Sequence, residues 1–158
     1  MGATSENDAA ASQDASPTAR GKLTVLLVDD NLTILTMLTF GLQDEFNVVT
    51  ATDGVKGLLA FEEAQPQCVV VDVKMPNLDG FQFIRALRGD PATAQTPLVI
   101  LTALHQDMGE LAGLASGADR YLMKPVVPSE LIPAIYAAIA VSDEQRMARL
   151  HALANDEN

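Results

Sequence analysis

Leu23-Thr24-Val25-Leu26-Leu27-Val28 is an apolar, β-branched run that stops on two aspartates, and runs of the same kind recur down the chain. A run this short, bounded by polar residues, reads as a strand buried on both faces. Asn47 to Thr50, Cys68-Val69-Val70-Val71-Asp72, Pro97 to Thr102 and Asp119 to Met123 repeat it. Segments with helical spacing lie between them. Residues 31–43 place Ile34, Met37, Leu38, Gly41 and Leu42 on one face. Residues 54–64 form a second helix, closed by Pro66, and 79–88 a third. Residues 107–115 form a weak fourth, because Gly109 and Gly113 each cost roughly 1 kcal/mol against alanine. A last helix is predicted from Ser129, with Pro133 at its fourth position, where no amide bond is lost. Five strand–helix units in series give an α/β fold: a parallel sheet, helices on both faces, right-handed crossovers.

In such sheets the site lies at the carboxyl ends of the strands, near the switch in strand order. The first strand here ends at Asp29-Asp30, the third at Asp72, the fourth at Thr102 and the fifth just before Lys124. Three carboxylates brought onto one rim repel one another and need a compensating cation. Mg2+ takes oxygen ligands and keeps several waters, which suits a few aspartates and a backbone carbonyl. A carboxylate that attacks phosphorus needs such an ion to neutralise the phosphoryl oxygens. A lysine supplies a second positive charge, and a hydroxyl bonds the remaining oxygen. Asp29, Asp30, Asp72, Thr102 and Lys124 are sufficient to make and hold an aspartyl phosphate.

At these residues the chain resembles the response-regulator receiver domains. Val28-Asp29-Asp30 is similar to the family's acidic pair, and Val71-Asp72-Val73-Lys74-Met75-Pro76 to the segment around its phosphoacceptor. Asn77-Leu78-Asp79-Gly80 continues that loop. Leu101-Thr102-Ala103 resembles the switch hydroxyl with its small neighbour. Gly117-Ala118-Asp119 and Tyr121-Leu122-Met123-Lys124-Pro125 resemble the fifth-strand segment. The likeness covers about residues 22–140. It implies a flavodoxin-like, doubly wound (βα)5 sheet in strand order 2-1-3-4-5. It also implies that Asp72 receives phosphate from a histidine kinase or histidine phosphotransfer protein. Asp30, Asp72 and the Lys74 main-chain carbonyl would ligate Mg2+, with Asp29 acting largely through water. Lys124 would pair with the phosphoryl group, and its bond to Pro125 would be cis. Thr102 and Tyr121 would switch, repacking the surface of the fourth helix, fifth strand and fifth helix. Leu32 and Leu35, placed on the outer side of the first helix, are candidate docking residues for the histidine donor. Lys74 and Leu104, two residues after Asp72 and Thr102, are bulky where the family controls water access, which predicts slow self-dephosphorylation.

Composition narrows the rest. Ten Lys and Arg against 21 Asp and Glu give a formal charge of −11. An acidic body argues against direct nucleic-acid binding, which rests on neutralising phosphates. The receiver resemblance implies a downstream protein effector instead. No apolar run is long enough to span a membrane, and residues 1–20 lack a signal pattern. A lone Cys68 excludes an intramolecular disulfide, so the expectation is a cytoplasmic protein. Residues 1–21 read as a disordered leader, 22–140 as the receiver, and 141–158 as a short terminal helix or tail. Nothing after residue 140 has the length of an output domain. Ser142-Asp143-Glu144-Gln145 has the form of a capping box. Leu131, Ile132, Ile135, Tyr136 and Ile139 make the last receiver helix apolar nearly all round, from which a homodimer through that helix is expected. A Mg2+-dependent phosphohydrolase of the haloacid-dehalogenase kind would need a second acid two residues after Asp72, where Lys74 stands. A flavodoxin-like electron carrier would need a Ser/Thr/Gly loop in place of Asp29-Asp30-Asn31. A phosphorylation-independent scaffold is the remaining alternative; the chain is not read as a conventional enzyme.

Overall fold

The computed structural model describes residues 21–75, 77–103 and 117–156, with side chains as far as Ala152. The leader, the predicted helix over 107–115, Leu104 and His105 lie outside the described residues. The apolar runs form strands β1 (Thr24–Val28), β2 (Asn47–Ala51), β3 (Cys68–Asp72), β4 (Leu98–Thr102) and β5 (Arg120–Met123). They pair in parallel in the order β2-β1-β3-β4-β5. This is the expected doubly wound sheet. Helices α1 (Leu32–Leu42), α2 (Gly54–Ala64), α3 (Gly80–Arg88), α4 (Pro128–Ala140) and α5 (Asp143–Asp156) flank it.

Successive strand residues face opposite sides of the sheet, so each strand feeds two cores. Val25, Leu27, Val70, Val99 and Leu101 pack with residues of α1 and α4. Leu26, Val28, Val69, Val71 and Ile100 pack with Phe61 of α2 and Phe83, Ile84 and Leu87 of α3. Burial on both sides is what a run such as Cys68-Val69-Val70-Val71 requires, and all of β3 is buried.

Each helix start has a local cause. Asn31, not an aspartate of the acidic pair, caps α1 by accepting from the Ile34 amide. Asp53 caps α2, and Gln65 in a left-handed conformation ends it before Pro66. Asp79 and Gln82 form a reciprocal capping box at α3.

Three expectations need correction. The buried face of α1 is Leu35, Leu38 and Leu42, while Met37 is largely exposed. The helix is apolar on nearly every side, so spacing alone does not fix which side turns inward. Helix α4 begins at Pro128, with Glu130 reaching back to the Val127 amide. Proline suits that first position, because its missing amide would have no intrahelical partner there. Pro133 therefore falls inside the helix, and the exposed Ser129 forgoes the amide that another residue at 133 would offer its carbonyl. The outward face of α4 carries Ser129, Glu130, Pro133, Tyr136 and Ala140, whereas Ile132 and Ile139 pack against the core. Tyr136 is itself engaged, donating to Glu45 at 2.6 Å and stacking on Phe46. The outward face is thus mixed, and the isoleucines that suggested a homodimer belong to the core.

Helix α5 opens with the Ser142–Gln145 capping box, bonded in both directions. Its inner face is built on charge. Arg146 is 1% exposed, and its Nε donates to Asp119 Oδ1 at 2.9 Å. The same guanidinium donates to the carbonyls of Gln95, Ala138 and Val141. Arg149 and Arg88 reach the same carboxylate at 2.7 and 3.3 Å. Asp119 Oδ2 also accepts from the Leu98 amide at the start of β4. One buried carboxylate thus joins three arginines from two helices at the amino end of the sheet.

Candidate functional site

At the opposite end of the sheet, the end of β1 carries Asp29, the end of β3 Asp72, and the residue after β5 Lys124. Ladder-like bonds continue past the strands and fix these positions. The Asp29 amide donates to Ala51 O at 3.1 Å, Val73 N to Leu101 O at 3.1 Å, and Lys124 N to Thr102 O at 2.7 Å. Asp29 Oδ1 accepts from the Asn31 amide at 2.9 Å, which orients its carboxylate at the mouth of α1. Asp29 and Asp72 are 2% and 7% exposed, whereas Asp30 is open to solvent.

The carboxylates of Asp29, Asp30 and Asp72 each offer an oxygen within 4.8 Å of the others. Lys124 Nζ lies 3.0 Å from Asp29 Oδ2 and 3.2 Å from Asp72 Oδ1. One ammonium shared between two buried carboxylates neutralises neither fully. Burial, then the charge of Asp29, therefore holds the Asp72 pKa above its ordinary value, against the pull of Lys124. Burial works against the Lys124 ammonium as well. Its bond to Asp29 and the charges of Asp72 and Asp29 outweigh that, so its pKa stands above the usual lysine value. Such a cluster has the donors to hold a cation.

The other predicted residues fall around this centre. Thr102 ends β4, fully buried, and its Oγ1 has no hydrogen-bond partner among the described residues. Tyr121 lies half-buried in β5 against the α2–α3 core. The Lys124–Pro125 peptide bond is cis. Lys74 is exposed in the loop that follows Asp72. That loop turns back sharply: Gly80 N donates to Val73 O at 2.9 Å, and a Cβ on Gly80 would overlap the Asp72 carbonyl oxygen.

The two docking candidates separate. Leu32 is 66% exposed beside the acidic rim. Leu35 is 4% exposed and belongs to the core, because it shares a helical face with Leu38 and Leu42. It is not an outward docking residue. Asp53 carried only the mark of a helix cap, its contact with Asn77 being distant in the chain, and the arginines of the Asp119 cluster carried none, since their carboxylate is distant too.

The family described as the response regulator receiver domain matches residues 25–136. The chain is similar to the DNA-binding response regulator MtrA of Mycobacterium tuberculosis, with 36% identity over 122 residues, covering 77% of this chain and 52% of MtrA. It is similar to the DNA-binding dual master transcriptional regulator RpaA of Synechocystis, with 34% identity over 128 residues, covering 80% of this chain and 53% of RpaA. The chain thus spans about half the length of these curated relatives. Among solved structures, a putative response regulator from Chloroflexus aurantiacus superposes with a TM-score of 0.72 at 32% identity, covering 75% of this chain and 98% of that one. The chemotaxis protein CheY4 of Vibrio cholerae gives 0.70 at 33%, covering 75% and 99%.

The relatives overturn the expectation that excluded nucleic acid in favour of a downstream protein effector, since MtrA and RpaA are DNA-binding regulators. Net charge describes only the portion it is counted over. The acidity of this chain carries no information about the half of those proteins that it does not cover. Among the described residues no helix is long and apolar enough to cross a membrane. With the family's match spanning most of the chain and relatives above 30% identity aligned along it, this chain belongs to the response regulator receiver domain family.

Proposed function

We propose that Asp72 accepts a phosphoryl group from a phosphohistidine of a histidine kinase or phosphotransfer protein. The observation that carries this reading is the Lys124 ammonium set between Asp29 and Asp72, with Asp30 in the same cluster. Three carboxylates against one ammonium leave two negative charges, and two of those carboxylates are withdrawn from water. That donor set fits a hard dication with oxygen ligands. Asp30, Asp72 and the Lys74 main-chain carbonyl would hold Mg2+, with Asp29 acting largely through water. When bound, the ion neutralises charge on the phosphoryl oxygens.

In the transfer an Asp72 carboxylate oxygen attacks phosphorus, the P–N bond breaks, and its electron pair returns to the imidazole nitrogen. Lys124 turns from the esterified carboxylate to a phosphoryl oxygen. Thr102 brings a hydroxyl to another, and Tyr121 moves inward behind it. This shifts the population of states at the β5 surface. Leu32, exposed at the rim, meets the histidine donor. By analogy with MtrA and RpaA, the switched surface controls a DNA-binding output.

Intact-mass analysis after incubation with acetyl phosphate or phosphoramidate tests the reading. One phosphoryl group should appear with Mg2+, and none without it or in Asp72→Asn. No gain with either donor would move the function to a phosphorylation-independent scaffold.

A further inference from the structure

The turn between β2 and α2 supplies none of the proposed phosphoryl chemistry, yet it touches both sides of the acidic cluster. Ala51 O accepts from the Asp29 amide at 3.1 Å. Two residues on, Asp53 is 8% exposed, and its two carboxylate oxygens have separate tasks. Oδ1 accepts from the Lys56 amide at 2.8 Å and starts α2. Oδ2 accepts from Asn77 Nδ2 at 3.4 Å, across to the loop that follows Asp72. Gly54 is buried against that loop, and a Cβ there would overlap the Leu78 carbonyl oxygen and crowd the Leu78 side chain.

Asn77 has φ +71°, in the left-handed region that only a few residue types adopt readily. The chain after Asp72 is therefore gripped at two places, at Val73 and at residues 77 and 78. Gly80 closes its base against the Asp72 carbonyl, and the Asp53–Gly54 turn presses on its far lobe at residues 77 and 78. Lys74, whose carbonyl is the proposed third ligand, lies between the two grips.

We infer that Asp53 and Gly54 are positioning residues that fix the phosphoacceptor loop, and with it the Lys74 carbonyl, for cation binding. This rests on the reading of Asp72 as a Mg2+-dependent phosphoacceptor. A ligand carbonyl held by two packed grips is already oriented, so the ion binds without ordering the loop. Groups one step behind a metal ligand commonly change affinity by about 10- to 100-fold when removed.

The test uses the whole chain and two variants. Asn77→Gly keeps the left-handed backbone accessible and deletes only the amide that reaches Asp53. Gly54→Ala forces the loop off the turn. Mg2+ dissociation constants are read by calorimetric titration of the unphosphorylated protein, beside Mg2+ titrations of the phosphoramidate reaction. Weakening of about 10-fold is expected for Gly54→Ala and about threefold for Asn77→Gly. The phosphorylation rate at saturating Mg2+ should return to within about twofold of wild type, since the loop is then held by the ion.

Gly41→Ala is the control, because a Cβ there crowds the Pro128 ring between α1 and α4, away from this loop. It should lower the melting temperature and leave the Mg2+ constant unchanged. If Gly54→Ala does not fold, Asn77→Gly carries the test alone. Variants binding Mg2+ within twofold of a wild type that is phosphorylated would overturn the positioning role. A wild type that neither binds Mg2+ nor gains phosphate would overturn the phosphoacceptor reading, and the inference with it.

Discussion

Replacing Arg146 by alanine isolates what holds α5 to the receiver. The side chain is 1% exposed and donates to Asp119 at 2.9 Å, Gln95 O at 3.0 Å and Ala138 O at 3.2 Å. Its contact with Asp143 is to a carboxylate 78% exposed and adds little. Truncation removes one buried charge-assisted bond, worth about 1.5–3 kcal/mol, and leaves helix-end carbonyls of α4 without that donor. Two effects oppose the loss. Arg146 no longer has to be desolvated, and its repulsion with Arg88 disappears. Asp119 also keeps Arg88 and Arg149, so no bare charge is left behind, and the cost falls at the low end of the roughly 3–5 kcal/mol for breaking a buried pair. About 3 kcal/mol remains, a fall of roughly 10 °C in melting temperature for a chain of this size. The assays are chemical denaturation and amide exchange, with protection expected to vanish first in residues 143–152. Arg146→Lys should recover less than half, since a lysine lacks the fork that meets several acceptors at once. Unchanged exchange in α5 together with a melting temperature within 2 °C of wild type would refute the reasoning.

Asp119→Asn should be worse than Arg146→Ala, by about 5 kcal/mol or failure to fold, because three arginines then share no anion; equal losses in the two variants would contradict this. Asp72→Asn should raise the melting temperature in Mg2+-free buffer at pH 7, because burial and Asp29 hold the folded-state carboxylate above its unfolded pKa. Between those two values the folded state binds more protons, so this contribution to stability falls as pH rises and stays lost above the folded pKa. The variant's advantage should therefore shrink on acidification; a variant less stable than wild type at pH 7 would sink the argument. Leu32→Asp should slow phosphorylation by a histidine donor about 10-fold and leave phosphorylation by acetyl phosphate within twofold; equal effects on both donors would show that it acts on the site rather than on docking.

The strands and the acidic rim were legible because each rests on a contrast that survives in one dimension, whereas the strand order followed only from the family resemblance. Asp29 and Asp72 interrupt runs that are otherwise wholly apolar, and a charge at the end of a buried strand has few roles open to it. The orientation of α1 was not legible. The helix's only polar side is a narrow stripe of Thr33, Thr36 and Thr39 among Leu32, Ile34, Leu35, Met37, Leu38, Phe40 and Leu42, so Leu35 passed for a surface residue and Met37 for core. The inner face of α5 misled in the opposite sense. Met147 looks like an anchor at helical spacing, yet it is 40% exposed, and Arg146 takes the buried place. A buried arginine is invisible until its acceptors are known. Here they lie just before β4, just before β5 and at the end of α4, as many as 51 residues away.

The two ends of the sheet solve opposite electrostatic problems. At the amino end one buried carboxylate faces three guanidiniums, an excess of two positive charges. The excess is spread over fixed dipoles, the carbonyls of Gly117, Ala94, Thr96, Gln95, Ala138 and Val141, which meet most of the guanidinium donors and leave Arg149 Nε without a partner among the described residues. At the carboxyl end three carboxylates face one ammonium, an excess of two negative charges. Here the described donors are few: the Asn31 amide on Asp29, and Lys124 shared between Asp29 and Asp72. Protein dipoles close the first cluster and leave the second open. On the proposed reading the imbalance serves the chemistry, because a protonated Asp72 would be no nucleophile. An open cluster of this sign, held on strand ends that barely yield, can be neutralised from solution, and its balance changes when phosphate arrives. On the proposed reading, the carboxyl end is where the receiver would change state, while the charges of the amino end are met largely by the protein's own dipoles.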